Sequence, residues 1–183
     1  MLTYFRLKRW LCVFLVLFVP QTVFCDVELT PEEKKETVYK MYEEYQKEFS
    51  SVGDMTPQKA MHLLKEGRVL FVDVRKPAEM KVSMLPGTIT KQAFLKTPVK
   101  FKNKTVVAYC TIGYRSGKFA EEMANKGIHI YNLKGGALAW VFEGGKVYDV
   151  NRESKRVHVY GKKWNYLPEG YEGVVFGLLE RWF

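Results

Sequence analysis

The sequence predicts an α/β protein: a single domain with a central parallel sheet and helices on both faces. Two observations carry this expectation. VLFVDV (69–74) and TVVAYC (105–110) are continuous runs rich in β-branched residues, the pattern of strands buried on both faces. MTPQKAMHLLKEG precedes the first run and SGKFAEEMANKG follows the second, both with helical periodicity. Strands alternating with helices of this length build parallel sheets. At 183 residues, the chain is long enough for one such core but hardly for two.

In chain order, residues 1–25 read as a secretory signal peptide. Arg6, Lys8 and Arg9 make a basic start, LCVFLVLFV is the apolar run, and Pro20 ends it. The run is short for a bilayer span, which takes about 20 apolar residues. Cleavage is expected after Cys25, an uncleaved membrane anchor being the alternative. Cleavage removes three bases and no acids, lowering the formal charge from +9 to +6. It also removes Cys12 and Cys25 and leaves Cys110. The expected localisation is export, periplasmic or extracellular. A single cysteine in an exported domain has no internal partner, so it is a reactive thiol or one that pairs between molecules.

Residues 26–53 read as an N-terminal helical extension. Thr30 caps, Pro31 takes the first helical position, and Glu33 completes a capping box. Val38, Tyr42, Tyr45 and Phe49 then form an aromatic stripe, expected to dock on the domain body. The domain proper is placed at 54–147. Thr56 and Pro57 start its first helix and Gly67 stops it. HIYNL (129–133) is a weaker third strand, and the helix before it is expected to start near Ser116. Residues 148–183 form an aromatic-rich C-terminal extension, in which alternation in RVHVYG predicts a strand or hairpin arm. That extension either wraps the body and extends the core, or is a partner-docking or substrate-restricting element beside the loop.

Ligands of open parallel sheets gather at the carboxyl ends of the strands. Cys110 ends one predicted strand and Asp73 lies near the end of another. CTIGYRS (110–116) joins strand to helix, and a tight loop there turns successive backbone N–H groups inward as an anion nest. Gly113 supplies a backbone conformation that other residues resist. Such a nest favours a thiolate, which is the nucleophile. Charge points the same way: from Met80 to Ala120 there are eight bases and no acid. Part of that run, Lys96 to Lys104, reads equally well as a solvated face.

Four segments together resemble the rhodanese family of sulfurtransferase domains, over roughly residues 54–145. VDVR (72–75) resembles its strand motif, LPGTI (85–89) is similar to its Pro-Gly segment, CTIGYRS resembles its active-site loop, and NLKGGALAW (132–140) its closing signature. Met84 departs from the pattern, standing where a histidine is common. The resemblance implies a sulfurtransferase in which Cys110 takes sulfur from an anionic, thiosulfate-like donor. The resulting persulfide passes it to a thiophilic acceptor. Backbone amides of Thr111, Ile112, Gly113, Tyr114, Arg115 and Ser116 would hold the transferred sulfur and the leaving anion. Arg115 and Lys118 would add charge, Asp73 and Arg75 would brace the loop, and Trp140 would be core.

Two other readings stay open. Phosphatases or arsenate reductases of this fold place an arginine six residues after the cysteine. Here Arg115 comes at five and Ser116 takes the sixth position. A sulfur-carrier or binding module loaded by a protein partner is the other. His62, His129 and His158 have no metal-like spacing, and nucleotide fingerprints and zinc patterns are missing, so neither metal nor cofactor is expected. Nucleic acid is not an expected partner. A membrane is one only if the first segment is retained.

Overall fold

The computed structural model describes residues 28–177 except Lys102 and Asn151. The expected signal peptide lies outside the described residues. No helix among those described is long and apolar enough to cross a membrane.

The elements run α1 (Pro31–Gln46), β1 (Asp54–Met55), α2 (Pro57–Lys65), β2 (Val69–Asp73), α3 (Pro77–Val82), β3 (Thr88–Thr90), α4 (Lys91–Lys96), β4 (Thr105–Tyr109), α5 (Tyr114–Ala124), β5 (Tyr131–Leu133) and α6 (Gly136–Phe142). Four short strands follow: β6 (Val147–Asp149), β7 (Arg152–Ser154), β8 (Arg156–His158) and β9 (Glu172–Val174). The main sheet has the order β1-β5-β4-β2-β3, and every pair in it is parallel. The protein is therefore α/β with a central parallel sheet flanked by helices.

Alternation along the strands explains the two-sided core. Val69 and Phe71 of β2 and Val107 and Tyr109 of β4 pack with Trp140 and Leu138 of α6 and Ala60 of α2. Val72, Val106 and Ala108 face the other way, onto Phe94 of α4 and Phe119 and Met123 of α5. Phe71 meets Trp140 edge-on, with ring centroids 5.2 Å apart. Trp140 is buried, as expected, and donates its indole N–H to the Lys146 carbonyl at 2.9 Å.

The capping box of α1 forms as predicted: the Glu33 amide donates to Thr30 Oγ1 at 3.2 Å and the Thr30 amide to Glu33 Oε2 at 2.8 Å. Val38 and Tyr42 on its inner face have no exposed surface. The helix thus docks on the domain body.

Three expectations need correction. α5 begins at Tyr114 rather than near Ser116, because Gly113 in the left-handed region (φ 99°) turns the chain straight into the helix. RVHVYG takes the strand form of the expectation, as β8, and not the hairpin arm: it pairs in parallel with β9, Arg156 opposite Glu172. The antiparallel hairpin of this region is instead β6 with β7. The third strand is shorter than HIYNL, starting at Tyr131, whose ring is partly exposed.

Candidate active site

Register places Asp73 of β2 opposite Tyr109 of β4, and Tyr109 immediately precedes Cys110. Both strands therefore end at one edge of the sheet, and the cysteine loop crosses that edge. Cys110 is 2% exposed, and the Gly113 amide donates to its Sγ at 3.2 Å.

The shape of the loop is set by what holds its carbonyls. Cys110 O accepts from the Ala137 amide at 2.9 Å and Thr111 O from the Leu138 amide at 3.1 Å, both in the first turn of α6. Gly113 O accepts from Asn132 Nδ2 and from the Gly117 amide, each at 3.0 Å. All peptides among the described residues are trans, and a planar trans peptide sends its N–H opposite to its C=O. Anchoring these three carbonyls therefore turns the N–H groups of Thr111, Ile112 and Tyr114 to the other side of the loop. That is the orientation the anion nest expected from the sequence requires.

Close approach requires glycine at two points. A Cβ on Gly136 would lie 2.5 Å from Cys110 O and 2.8 Å from the Gly113 amide nitrogen. A Cβ on Gly113 would meet the Tyr42 ring at 2.6 Å. Tyr42 of α1 thus backs the loop directly. Its hydroxyl donates to Asp54 Oδ1 and accepts from Asn132 Nδ2 at 3.0 Å. Burial first, and then the Asp54 carboxylate, push that hydroxyl well above the ordinary tyrosine range, so it stays a donor.

Below the loop, Arg75 grips Asp73 through Nε and Nη2 at 2.7–3.1 Å and donates to the Ser83 carbonyl at 2.6 Å. The Tyr109 hydroxyl donates to Asp73 at 2.6 Å and accepts from the Leu85 amide at 3.2 Å. Asp73 and Arg75 are both buried and reach the loop through Tyr109 rather than by touching the cavity.

The cavity over Cys110 has a volume of about 430 Å³. Besides Thr111, Ile112, Tyr114 and Arg115, its walls are Tyr45 and Glu48 of the N-terminal segment and Tyr160 and Trp164 of the C-terminal one. Tyr45 stacks on Trp164 with centroids 5.6 Å apart, and Tyr114 leans on Tyr45 at 5.1 Å. The Tyr114 hydroxyl donates to Glu48 at 3.0 Å.

Arg115 lines the cavity but is paired. Its Nη1 and Nη2 donate to Glu79 Oε2 and Oε1 at 2.8 and 2.7 Å. Burial alone would push the Glu79 carboxyl up. Contacts from Arg115, from His158 at 3.1 Å and from the Lys76 amide overcome that and hold it well below the ordinary glutamate range. His158 Nδ1 approaches Glu79 without the alignment of a hydrogen bond.

A model of the rhodanese-like domain matches residues 56–143. A sulfurtransferase of Allochromatium vinosum is 35% identical over 81 residues, which are 42% of this chain and 75% of that protein. The chain belongs to the rhodanese-like family. Its rhodanese-like part also resembles a tRNA uridine(34) hydroxylase of Buchnera aphidicola, with 31% identity over 109 residues. That match spans 54% of this chain and 35% of the relative. The thiosulfate sulfurtransferase of Pseudomonas aeruginosa superposes with a TM-score of 0.52 at 16% identity, covering 71% of this chain and 26% of that one. At that identity the likeness shows the shared rhodanese-like fold.

Within the rhodanese-like domain, the loop residues Cys110 to Arg115 come together at the cavity, apart from Gly113, which packs behind it on Tyr42. Ser116 is fully buried in the first turn of α5, its hydroxyl without a partner. Lys118 stays outside the cavity lining, donating to the Glu48 carbonyl at 2.8 Å. The basic run does not surround the thiol as a whole. Lys104 precedes β4 and Cys110 follows it, so Lys104 sits at the opposite edge, roughly 20 Å away at about 3.3 Å per strand residue.

The sequence reading missed Glu79, Asn132, Glu48, Tyr45, Tyr160 and Trp164 as site residues. Tyr45 was visible only as part of an aromatic stripe. Glu79 carried no signal, lying 36 residues before the arginine it pairs with.

Proposed function

We propose that this protein is an exported single-domain sulfurtransferase that carries sulfane sulfur as a Cys110 persulfide. The observation that carries the proposal is the position of Sγ. It lies at the carboxyl edge of the sheet, lines an open cavity, and accepts the Gly113 amide at 3.2 Å. The amides of Thr111, Ile112 and Tyr114, freed by the anchored carbonyls, would hold the second sulfur and the departing anion.

Cys110 thiolate attacks the outer, sulfane sulfur of an anionic donor of the thiosulfate kind. A new S–S bond forms, the donor's own sulfur–sulfur bond breaks, and its electron pair leaves with sulfite. In the second step a thiophilic acceptor attacks the outer persulfide sulfur and restores the thiolate. Asp73, Arg75 and Tyr109 keep the loop seated on the sheet. Export rests on Arg6, Lys8 and Arg9 followed by the apolar run that ends at Pro20. Fractionation of cells expressing the full chain checks it: the expected location is outside the cytoplasm, in a form shortened by about 25 residues.

Intact mass of the reduced protein before and after thiosulfate tests the chemistry. One added sulfur atom is expected, absent in Cys110→Ser and discharged as thiocyanate by cyanide. No addition on a folded protein would defeat the proposal. The phosphatase alternative is disfavoured by the Glu79 pair, which occupies the guanidinium that would have to close on a phosphate.

A further inference from the structure

The cavity over Cys110 is larger than an inorganic sulfur oxyanion requires, and aromatic rings make much of its wall. A volume of about 430 Å³ falls in the range of about 300–1,000 Å³ typical of sites for organic ligands. Tyr45, Tyr114, Tyr160 and Trp164 supply four aromatic rings to its wall. Arg115, the one cation among the described lining residues, is neutralised by the bidentate bond to Glu79. The rim carries a further carboxylate, Glu48, which receives the Tyr114 hydroxyl. The loop amides serve a dianion and a monoanion alike, whereas only a donor with a flat apolar body can bury that body against the rings.

Resting on the sulfurtransferase reading, we infer that the donor is an organic sulfane-sulfur monoanion with a flat apolar substituent, of the thiosulfonate class, selected by Tyr45, Tyr160 and Trp164. These three residues lie outside the segment 56–143 that the domain model matches. The step balances as R–SO2–S⁻ plus Cys110–S⁻ giving Cys110–S–S⁻ plus R–SO2⁻. The Cys110 sulfur bonds the terminal sulfur, the sulfonyl-sulfur bond breaks, and the sulfinate leaves with the electron pair. No proton and no external oxidant or reductant is needed.

The test compares benzenethiosulfonate with thiosulfate as donors to the full mature chain, followed by persulfide mass and by turnover with cyanide. The expected kcat/KM preference for benzenethiosulfonate is about tenfold or more, one tenfold step corresponding to about 1.4 kcal/mol. Trp164→Ala and Tyr160→Ala each lower that ratio several-fold, while Trp164→Phe keeps most of it. Tyr160 is 59% exposed, so its variant tests the wall without emptying the core. Equal use of both donors, or a ratio unmoved by the variants, overturns the inference and leaves the sulfurtransferase reading standing. If neither donor loads Cys110 in folded protein, both fall together.

Discussion

Glu79 is the residue whose chemistry most constrains Arg115. Its carboxylate is 3% exposed in the side chain and receives both guanidinium nitrogens. Its acidity is increased in the fold, so the contribution it makes to stability is fully present above the ordinary glutamate value of 4.5 and is lost as the pH falls below it. Glu79→Gln should flatten the acid limb of the unfolding curve, measured by urea denaturation between neutral pH and pH 3. The same variant frees Arg115 for substrate, so KM for thiosulfate should drop by roughly tenfold, the scale of a hydrogen bond to a charged group. An unchanged KM would mean that the guanidinium does not reach the donor. Gly136 makes a second prediction at this scale. Gly136→Ala drives a methyl into Cys110 O and places it at positive φ (58°), costing about 3 kcal/mol and most of the sulfur loading.

Among the elements, α1 has the clearest role, because it stands behind the loop. Tyr42→Ala empties the space against Gly113, with an expected loss of about 3–5 kcal/mol by chemical denaturation and a slower sulfur loading rate. Tyr42→Phe keeps the ring and drops the bonds to Asp54 and Asn132, for about 1 kcal/mol and near-normal loading. If Tyr42→Phe were as damaging as the alanine variant, the polar chain rather than the packing would shape the loop. Local signals made most of these elements legible in the sequence. The β2 and β4 runs, the capped starts of α1 and α2 and the glycine stop at Gly67 are each written in a few neighbouring residues. β1 and β3 were not legible, since two or three residues carry no period. The loop could be read from CTIGYRS, but its walls could not. Tyr45 and Trp164 come to the Cys110 cavity, and Glu79 to Arg115, only by tertiary folding across dozens of residues, and nothing local distinguishes them from ordinary surface or core.

For the molecule as a whole, the C-terminal segment has two duties. Val157 and Val159 have no exposed surface and join the core around α6, while Tyr160 and Trp164 wall the cavity. Ending the chain after Val150 should lower the unfolding free energy by about 4 kcal/mol, taking about 2 kcal/mol for each buried valine. It should also erase discrimination between organic and inorganic donors. A melting temperature within a few degrees of the full chain would instead make the segment a separable attachment.

The position of Tyr42 has a practical corollary. The stretch matched by the domain model, 56–143, leaves out the helix on which the cysteine turn is moulded. Moving CTIGYRS into another scaffold, or importing a relative's turn here, would leave Gly113 facing the wrong surface unless α1 travelled with it. The unit that can be transplanted is therefore larger than the segment that the domain model matches.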